Sequence, residues 1–197
     1  MRTPALWIFA LGSMWGCSNP GGGTHNDNEV ITTVILRFES TTGVIRTAMF
    51  DDPDGDGGQA PMIDPVDLSP GMYGLTVQFQ NRLSTPFEEI TDEVRDEQEF
   101  HLLLFTGSAV VGPATSNANG PLVQSYADTD ANGLPVGLSD TIAATAGSGQ
   151  LTVTLRHMAP EQPPVKSLDT VMEVKDHGID AIGGSTDAQV DFAVTVR

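Results

Sequence analysis

The sequence predicts an all-β fold, an antiparallel β-sandwich of about eight strands with one short helical segment. Apolar and polar residues alternate with a period of two along most of the chain after residue 28, which is typical of strands with one buried face. The 21 glycines and 13 prolines among 197 residues indicate dense turns. Apart from one short segment, strand patterns follow one another without helices between them, which excludes a doubly wound α/β sheet. A closed β-barrel is the alternative architecture.

Eight segments carry the strand pattern. Alternate residues from Val30 to Phe38 are apolar or threonine, and the turn-rich segment 40–43 that follows predicts a hairpin. The segment from Phe100 to Phe105 is almost continuously apolar, which indicates a strand that is buried on both faces. The predicted strands are 30–38, 44–50, 75–80, 100–105, 122–126, 138–144, 151–157 and 190–196.

The segment 86–99 is the one stretch that carries a helical signal. Asp92 and Glu93 lie where carboxylates favour the positive end of a helix dipole. Residues 158–186 contain three prolines and the pair Gly183-Gly184, and they are predicted to form a long connection. Hairpins joined by Greek-key connections would give an architecture that resembles immunoglobulin-like modules.

The N-terminal segment has the features of an export signal. Arg2 is followed by a short apolar run, 5–11, which is too short to span a bilayer, and Gly16 directly precedes Cys17. This arrangement resembles the lipobox of bacterial lipoproteins, which implies cleavage before the cysteine and acylation of its thiol. A plain signal peptide with an incidental cysteine is the alternative.

Length and charge limit the organisation and the partners of the chain. We expect a signal peptide at 1–16, a lipidated Cys17 with a flexible tether through residue 28, and one folded domain at 29–197. Nine Lys and Arg against 26 Asp and Glu give a formal net charge of -17, which excludes nucleic acid as a partner. The single cysteine excludes an intrachain disulfide.

Two acidic loops fit the spacing D-x-D-x-[DN]-G, which is typical of calcium-binding turns. Oxygens on alternate residues of a tight loop can converge on one hard cation, and the glycine lets the chain turn back. An EF-hand is excluded, because no glutamate stands at the twelfth position of either loop. The candidate calcium ligands are Asp52, Asp54, Asp56 and Asp64 in the first loop and Asp128, Asp130, Asn132 and Asp140 in the second.

Plain turns are the alternative for both acidic loops. Asp, Asn and Gly are favoured in turns because their side chains bond the local backbone and because they tolerate a left-handed conformation. A third acidic cluster spans residues 88–99. Like charges along a short helix repel one another, so either cations screen these side chains or they lie in solvent, and we favour solvent.

Two histidines stand at the ends of apolar strands. His101 opens one strand and His157 closes another, so neighbouring strands would place both imidazoles together with Glu99 or Glu97 beside them, as in a copper or zinc site. The alternative is that each histidine is a strand-end residue with a polar partner. No H-E-x-x-H, G-x-S-x-G or C-x-x-C motif occurs, and we therefore do not expect an enzyme.

Six segments of the folded part carry a resemblance to known proteins: EVITTV at 29–34, DPDGDGG at 52–58, ITDEV at 90–94, YADTD at 126–130, LTVTLRH at 151–157 and the ending 183–196. Together they resemble a group of small bacterial lipoproteins, best represented among Bacteroidota, that are often labelled type 1 periplasmic-binding proteins. The resemblance covers most of the folded part and implies a location in the cell envelope. The label itself implies a two-lobed α/β receptor, for which this chain is too short and too rich in strands.

These observations predict a lipid-anchored, non-catalytic binding or scaffold module outside the cytoplasm, with calcium stiffening its loops. It would contact the outer or inner membrane through its anchor alone and face the periplasm or the cell surface. Its partner would be a protein or a small solute. The alternative is a lipoprotein that binds a transition metal or a small solute through His101, His157 and the acidic segment.

Overall fold

The computed structural model describes residues 29–55, 57–161 and 163–197. This part of the chain contains twelve strands, which include all eight predicted ones, and the predicted all-β class is confirmed. The strands are β1 (Thr33–Ser40), β2 (Ile45–Asp51), β3 (Met62–Ile63), β4 (Val66–Leu68), β5 (Gly71–Asn81), β6 (Glu88–Glu89), β7 (His101–Thr106), β8 (Val110–Val111), β9 (Leu122–Tyr126), β10 (Ser139–Ala144), β11 (Gly147–His157) and β12 (Ser185–Val196).

The strands form two open sheets and not a closed barrel. The larger sheet has the order β3-β2-β1-β5-β10-β9-β8, with β6 paired to β5, and the smaller sheet has the order β4-β12-β11-β7. The long strands pair antiparallel with one another, whereas the short β4 and β8 pair parallel with β12 and β9. This topology matches the predicted sandwich of mainly antiparallel strands.

The main core lies between the facing sides of the two sheets. Phe38 and Phe79 enter it from the larger sheet and Phe105 and Phe192 from the smaller one, and all four are fully buried. Alternation along each strand explains this arrangement, because every second side chain points to the same face. The first helix, α1 (Ile90–Asp96), lies in the predicted helical segment and adds apolar residues to the same core.

The predicted connection 158–186 is more ordered than its prolines suggest. It contains the helix α2 (Thr170–His177) and a short 3₁₀ turn at Ile179–Ala181. α2 packs Val171 and Val174 against Leu102 and Leu104, which lie on the outer face of the smaller sheet. β7 is therefore buried on both faces, as its continuous apolar run predicted.

None of the helices in the described part of the chain is long and apolar enough to cross a bilayer. The predicted signal peptide, Cys17, the tether and Asp56 lie outside the described residues.

Candidate metal centre

The two strand-end histidines form a cross-strand pair. His101 at the start of β7 and His157 at the end of β11 are in register, and their rings stack with centroids 4.6 Å apart and planes inclined by 15°. Both have the same parity as core residues of their strands, Leu103 and Leu155, so both rings point between the sheets and are buried. The two imidazoles therefore lie next to each other, as predicted.

Glu97 completes a triad with these histidines. α1 ends at Asp96, and Glu97 follows as its C-terminal cap. Ligand atoms of Glu97, His101 and His157 all lie within 4.8 Å of one another. Within residues 29–55, 57–161 and 163–197, these three form the one cluster of three or more His, Cys, Asp or Glu side chains with such close ligand atoms. We call this triad the His–Glu centre.

One nitrogen of each ring, Nε2, is buried without a hydrogen-bond partner among the described residues. Nδ1 of His101 lies 3.1 Å from the carbonyl oxygen of Glu97, and since a carbonyl only accepts, Nδ1 is the donor. In a neutral ring, Nε2 is then an acceptor. Neither Nε2 of His101 nor Nε2 of His157 has a hydrogen-bond partner among the described residues. Burial, followed by the neighbouring His101, lowers the pKa of His157 and favours its neutral form.

Asp187 approaches the centre from β12. Leu155 pairs with Ala188 and Arg156 pairs with Thr186, so Asp187 is the extra residue of a β-bulge. Its side chain is fully buried, and Oδ2 lies 3.7 Å from Nε2 of His101. Neither carboxylate oxygen of Asp187 has a hydrogen-bond partner in the described part of the chain. The bulge thus directs a carboxylate towards a bare imidazole nitrogen.

The segment that precedes the bulge is fixed by two contacts. The guanidinium of Arg156 donates to the carbonyl oxygens of Gly183 and Gly184, both at 2.7 Å. Gly184 has φ +82°, and a Cβ there would lie 2.1 Å from the carbonyl oxygen of His157. Only glycine fits this close approach, so the backbone that leads into β12 lies directly against the His157 strand end.

Two further carboxyl groups, Glu29 and Glu93, border the centre. Burial, a hydrogen bond with Glu93, and the negative charges of Glu93, Asp187 and Glu97 raise the pKa of Glu29 to about 8. The prediction that the acidic segment 88–99 lies in solvent fails at Glu89 and Glu97, which are both half-buried. The negative charges of Asp187 and Glu97 act on the imidazole of His157 and favour a cation beside it.

A buried lysine holds the turn that carries His101. Nζ of Lys166 donates to the carbonyl oxygens of Gln98 and His101, both at 2.9 Å, and lies 2.8 Å from Oδ2 of Asp130. Both charged side chains are almost completely buried. Burial lowers the pKa of Lys166, while the Asp130 carboxylate opposes that effect. The second acidic loop is thereby connected to the backbone of the His–Glu centre.

The second acidic loop uses its carboxylates within the fold. Asp128 accepts backbone N–H bonds from Gly137 and Ser139 at 2.7 and 2.9 Å, and Asp130 accepts them from Asn132 and Leu134. Burial alone would raise the pKa of Asp130, but Lys166 and these N–H groups more than offset it, so the pKa lies below its usual value.

The other two predicted ligands of this loop lie apart from a common centre. Asp140 accepts a bond from Nε2 of Gln124 at 2.6 Å, and burial raises the pKa of Asp140 to about 8. Asn132 is exposed. Among the described acids of this loop, no three carboxylates gather around a common point. These contacts are those of a hydrogen-bonded turn.

The first acidic loop is arranged differently. Asp54 accepts an N–H bond from Gln59, and Asp64 accepts one from Met49, both at 3.2 Å. Oδ1 of Asp52 and Oδ1 of Asp54 are buried and have no hydrogen-bond partner among the described residues. Two carboxylate oxygens of this loop are therefore available to coordinate a cation.

Sequence reasoning identified the histidine pair but missed Asp187 and left Glu97 and Glu99 as alternatives. Glu99 is exposed, and Glu97 is the member of the triad. Asp187 lies in a stretch without strand alternation. The neighbouring pair Gly183-Gly184 was the only sequence feature that indicated irregular backbone there. No family model, curated protein or solved structure matches this chain.

Proposed function

We propose that this chain is a lipid-anchored, non-catalytic module of the cell envelope that binds a divalent transition-metal ion at the His–Glu centre. The observation that carries the proposal is the convergence of Glu97, His101 and His157, whose ligand atoms lie within 4.8 Å of one another. A contraction of up to about 1.5 Å would bring these atoms to the separation of about 3.3 Å between two ligands on one ion, given metal–ligand bonds of about 2.0 to 2.1 Å.

The physical reason is the cost of burying polar atoms without partners. An unsatisfied buried donor or acceptor costs about 1 to 3 kcal/mol, and more when it is charged. The centre contains two such imidazole nitrogens, on His101 and His157, next to the buried carboxylate of Asp187. A bound cation would accept both lone pairs and neutralise part of the negative charge in a single step.

The type of donor favours a transition metal over calcium. Imidazole nitrogen suits zinc, copper, iron and nickel, whereas calcium takes six to eight oxygen ligands. The hydrogen bond from Nδ1 of His101 to the carbonyl of Glu97 resembles the outer contact that orients metal-binding histidines and fixes their tautomer. The centre thus has two nitrogen donors and carboxylate oxygens from the surrounding acids.

The location is proposed from the N-terminal sequence. The signal-like segment and Gly16-Cys17 support export and acylation, so the folded domain would be attached to the outer or inner membrane by its lipid. There it would meet metal ions outside the cytoplasm. The non-catalytic role is supported by the burial of both imidazole rings, which leaves little room for a substrate.

A second candidate function is a binding or scaffold module whose first acidic loop is stiffened by calcium. The buried, unpartnered Oδ1 atoms of Asp52 and Asp54 favour it. Such a site would be independent of the His–Glu centre, because it lies in a different loop and uses only oxygen donors.

Equilibrium dialysis of the chelator-treated chain against Zn²⁺, Cu²⁺ and Ca²⁺, followed by elemental analysis, tests the proposal. We expect one equivalent of Zn²⁺ or Cu²⁺ in the parent chain and its loss in His101→Gln and His157→Gln. His177→Gln is the matched control, because His177 is exposed on α2 and pairs with Glu173. Binding by neither transition metal, or equal binding by all four proteins, would refute the proposal.

A further inference from the structure

We infer that Asp187 is the fourth ligand of the His–Glu centre, and that the complete set of two imidazoles and two carboxylates forms a closed, four-coordinate site suited to Zn²⁺. The inference rests on the proposed function, since it specifies the ligands and the ion of the same site. It adds a residue outside the triad, contributed by a third strand of the smaller sheet.

The separation of Asp187 and His101 is slightly longer than that of two ligands on one ion, and Asp187 lies outside the group of side chains whose ligand atoms are all within 4.8 Å of one another. Two atoms that each lie about 2.0 to 2.1 Å from zinc at a tetrahedral angle are about 3.3 Å apart. Oδ2 of Asp187 and Nε2 of His101 are 3.7 Å apart, which is too long for a hydrogen bond and close to the ligand separation.

The chemistry of the two facing atoms also requires a positive charge between them. A carboxylate oxygen accepts, and Nε2 of a neutral ring that donates through Nδ1 accepts as well. Two acceptors that face each other in a buried site repel unless a proton or a metal ion lies between them. Because the carboxylate of Glu97 also lies among these ligand atoms, a divalent ion neutralises more of the site than a single proton does.

The backbone is built to direct Asp187 inward. In a regular strand the residue next to the core-facing Ala188 would point to the opposite face of the sheet. The bulge allows Asp187 to turn towards His101 although Ala188 also packs against the core. Bulges occur frequently beside functional sites, where they redirect a side chain. The bonds from Arg156 to Gly183 and Gly184 hold the approach to this bulge.

The burial of three of the four ligands indicates a site that is closed on all sides except at the half-buried Glu97. The side chains of His101 and Asp187 are both 0% exposed. Zinc sites with four protein ligands are structural, whereas catalytic zinc sites have three protein ligands and a water molecule. With Asp187 as the fourth ligand, the ion would hold together α1 and strands β7, β11 and β12 and would leave no position for a substrate.

Metal substitution with Co²⁺ tests the ligand set. We expect the Co²⁺-loaded parent chain to show the intense visible bands of four-coordinate cobalt, and Asp187→Asn to lose them or to convert them to the weak bands of higher coordination. We also expect Asp187→Asn to weaken Zn²⁺ affinity by more than about 100-fold, since even outer contacts of a metal ligand change affinity by about 10- to 100-fold. Asp191→Asn is the control, because Asp191 lies on the same strand and bonds to Thr152.

Three outcomes are distinguishable. A parent chain that binds neither Zn²⁺ nor Co²⁺ overturns the proposed function and with it this inference. A parent chain that binds, with Asp187→Asn unchanged in affinity and spectrum, overturns the inference alone. If Asp187→Asn does not fold, X-ray absorption of the Zn²⁺-loaded parent decides: two imidazoles and two further light ligands support the inference, and six-coordinate zinc overturns it.

Discussion

Replacing Asp140 with asparagine should stabilise the protein at high pH and not at low pH. The carboxyl group of Asp140 is buried in the larger sheet and accepts a hydrogen bond from Gln124. Burial, with a contribution from the negative charge of Asp128, raises the pKa of Asp140 from 3.8 to about 8 against the opposing effect of Gln124. The folded chain therefore retains a proton at neutral pH that the unfolded chain releases.

The sign and the size of the effect follow from proton linkage. When the folded state binds a proton that the unfolded state has lost, the free energy of unfolding falls as pH rises. The fall is about 1.4 kcal/mol per pH unit between about pH 4 and pH 8, or about 5 kcal/mol in total. Asparagine does not titrate, so it removes this pH-dependent fall in the free energy of unfolding. Its amide oxygen still accepts the hydrogen bond from Gln124, but its buried N–H₂ group lowers the free energy of unfolding by about 1 to 2 kcal/mol at every pH. We expect Asp140→Asn to be slightly less stable than the parent at pH 4 and about 3 to 4 kcal/mol more stable above pH 8.

Urea denaturation followed by far-ultraviolet circular dichroism at pH 4, 6, 8 and 9 measures this difference. Asp64→Asn is the control, because Asp64 has the corresponding place in the first acidic loop and is exposed. A constant difference between Asp140→Asn and the parent across this pH range would refute the burial argument. A loss of stability confined to calcium-containing buffer would instead identify Asp140 as a calcium ligand, as the sequence pattern predicted.

Three further predictions concern other parts of the chain. Lys166→Met should lower the free energy of unfolding by about 3 to 5 kcal/mol, because it leaves the buried carboxylate of Asp130 unpaired, whereas the exposed Lys175→Met should change it little in the same urea assay. If calcium raises the melting temperature relative to buffer with chelator, Asp54→Asn should abolish that increase. Asp130→Asn should lower the melting temperature equally in the calcium buffer and in the chelator buffer. Cys17→Ser should move the exported protein from the detergent phase to the aqueous phase, and equal partitioning would exclude acylation.

The eight long strands could be predicted because each is long enough to show alternation between core and surface. Phe38, Phe79, Phe105 and Phe192 all stand at the apolar positions of such patterns. The four additional strands have two or three residues each, so they have no period to recognise. α2 was not predicted, since its eight residues follow a proline-rich stretch, and a brief apolar repeat there does not distinguish a helix from a loop.

The candidate centre could be predicted where it depends on strand ends and not where it depends on irregular backbone. His101 and His157 stand at the ends of recognisable strands, so their proximity followed from pairing. The choice between Glu97 and Glu99 depended on the residue at which α1 ends, and helix ends are poorly defined by sequence. Asp187 depended on a bulge, which changes the parity of one residue and which only the neighbouring Gly183-Gly184 could have indicated.

The extra residue in β12, Asp187, can be lost or gained without a change in the pairing of the sheet. Because Asp187 has no partner in the ladder, deleting it would restore regular pairing between β11 and β12. Phe192 and Val194, which fill the core further along the strand, would keep their present partners in β11. A single-codon deletion would thus remove a carboxylate from the centre and preserve the sandwich. A single-codon insertion in an ancestral chain without the bulge would introduce that carboxylate. Loss and gain of the ligand are therefore separable from loss and gain of the fold.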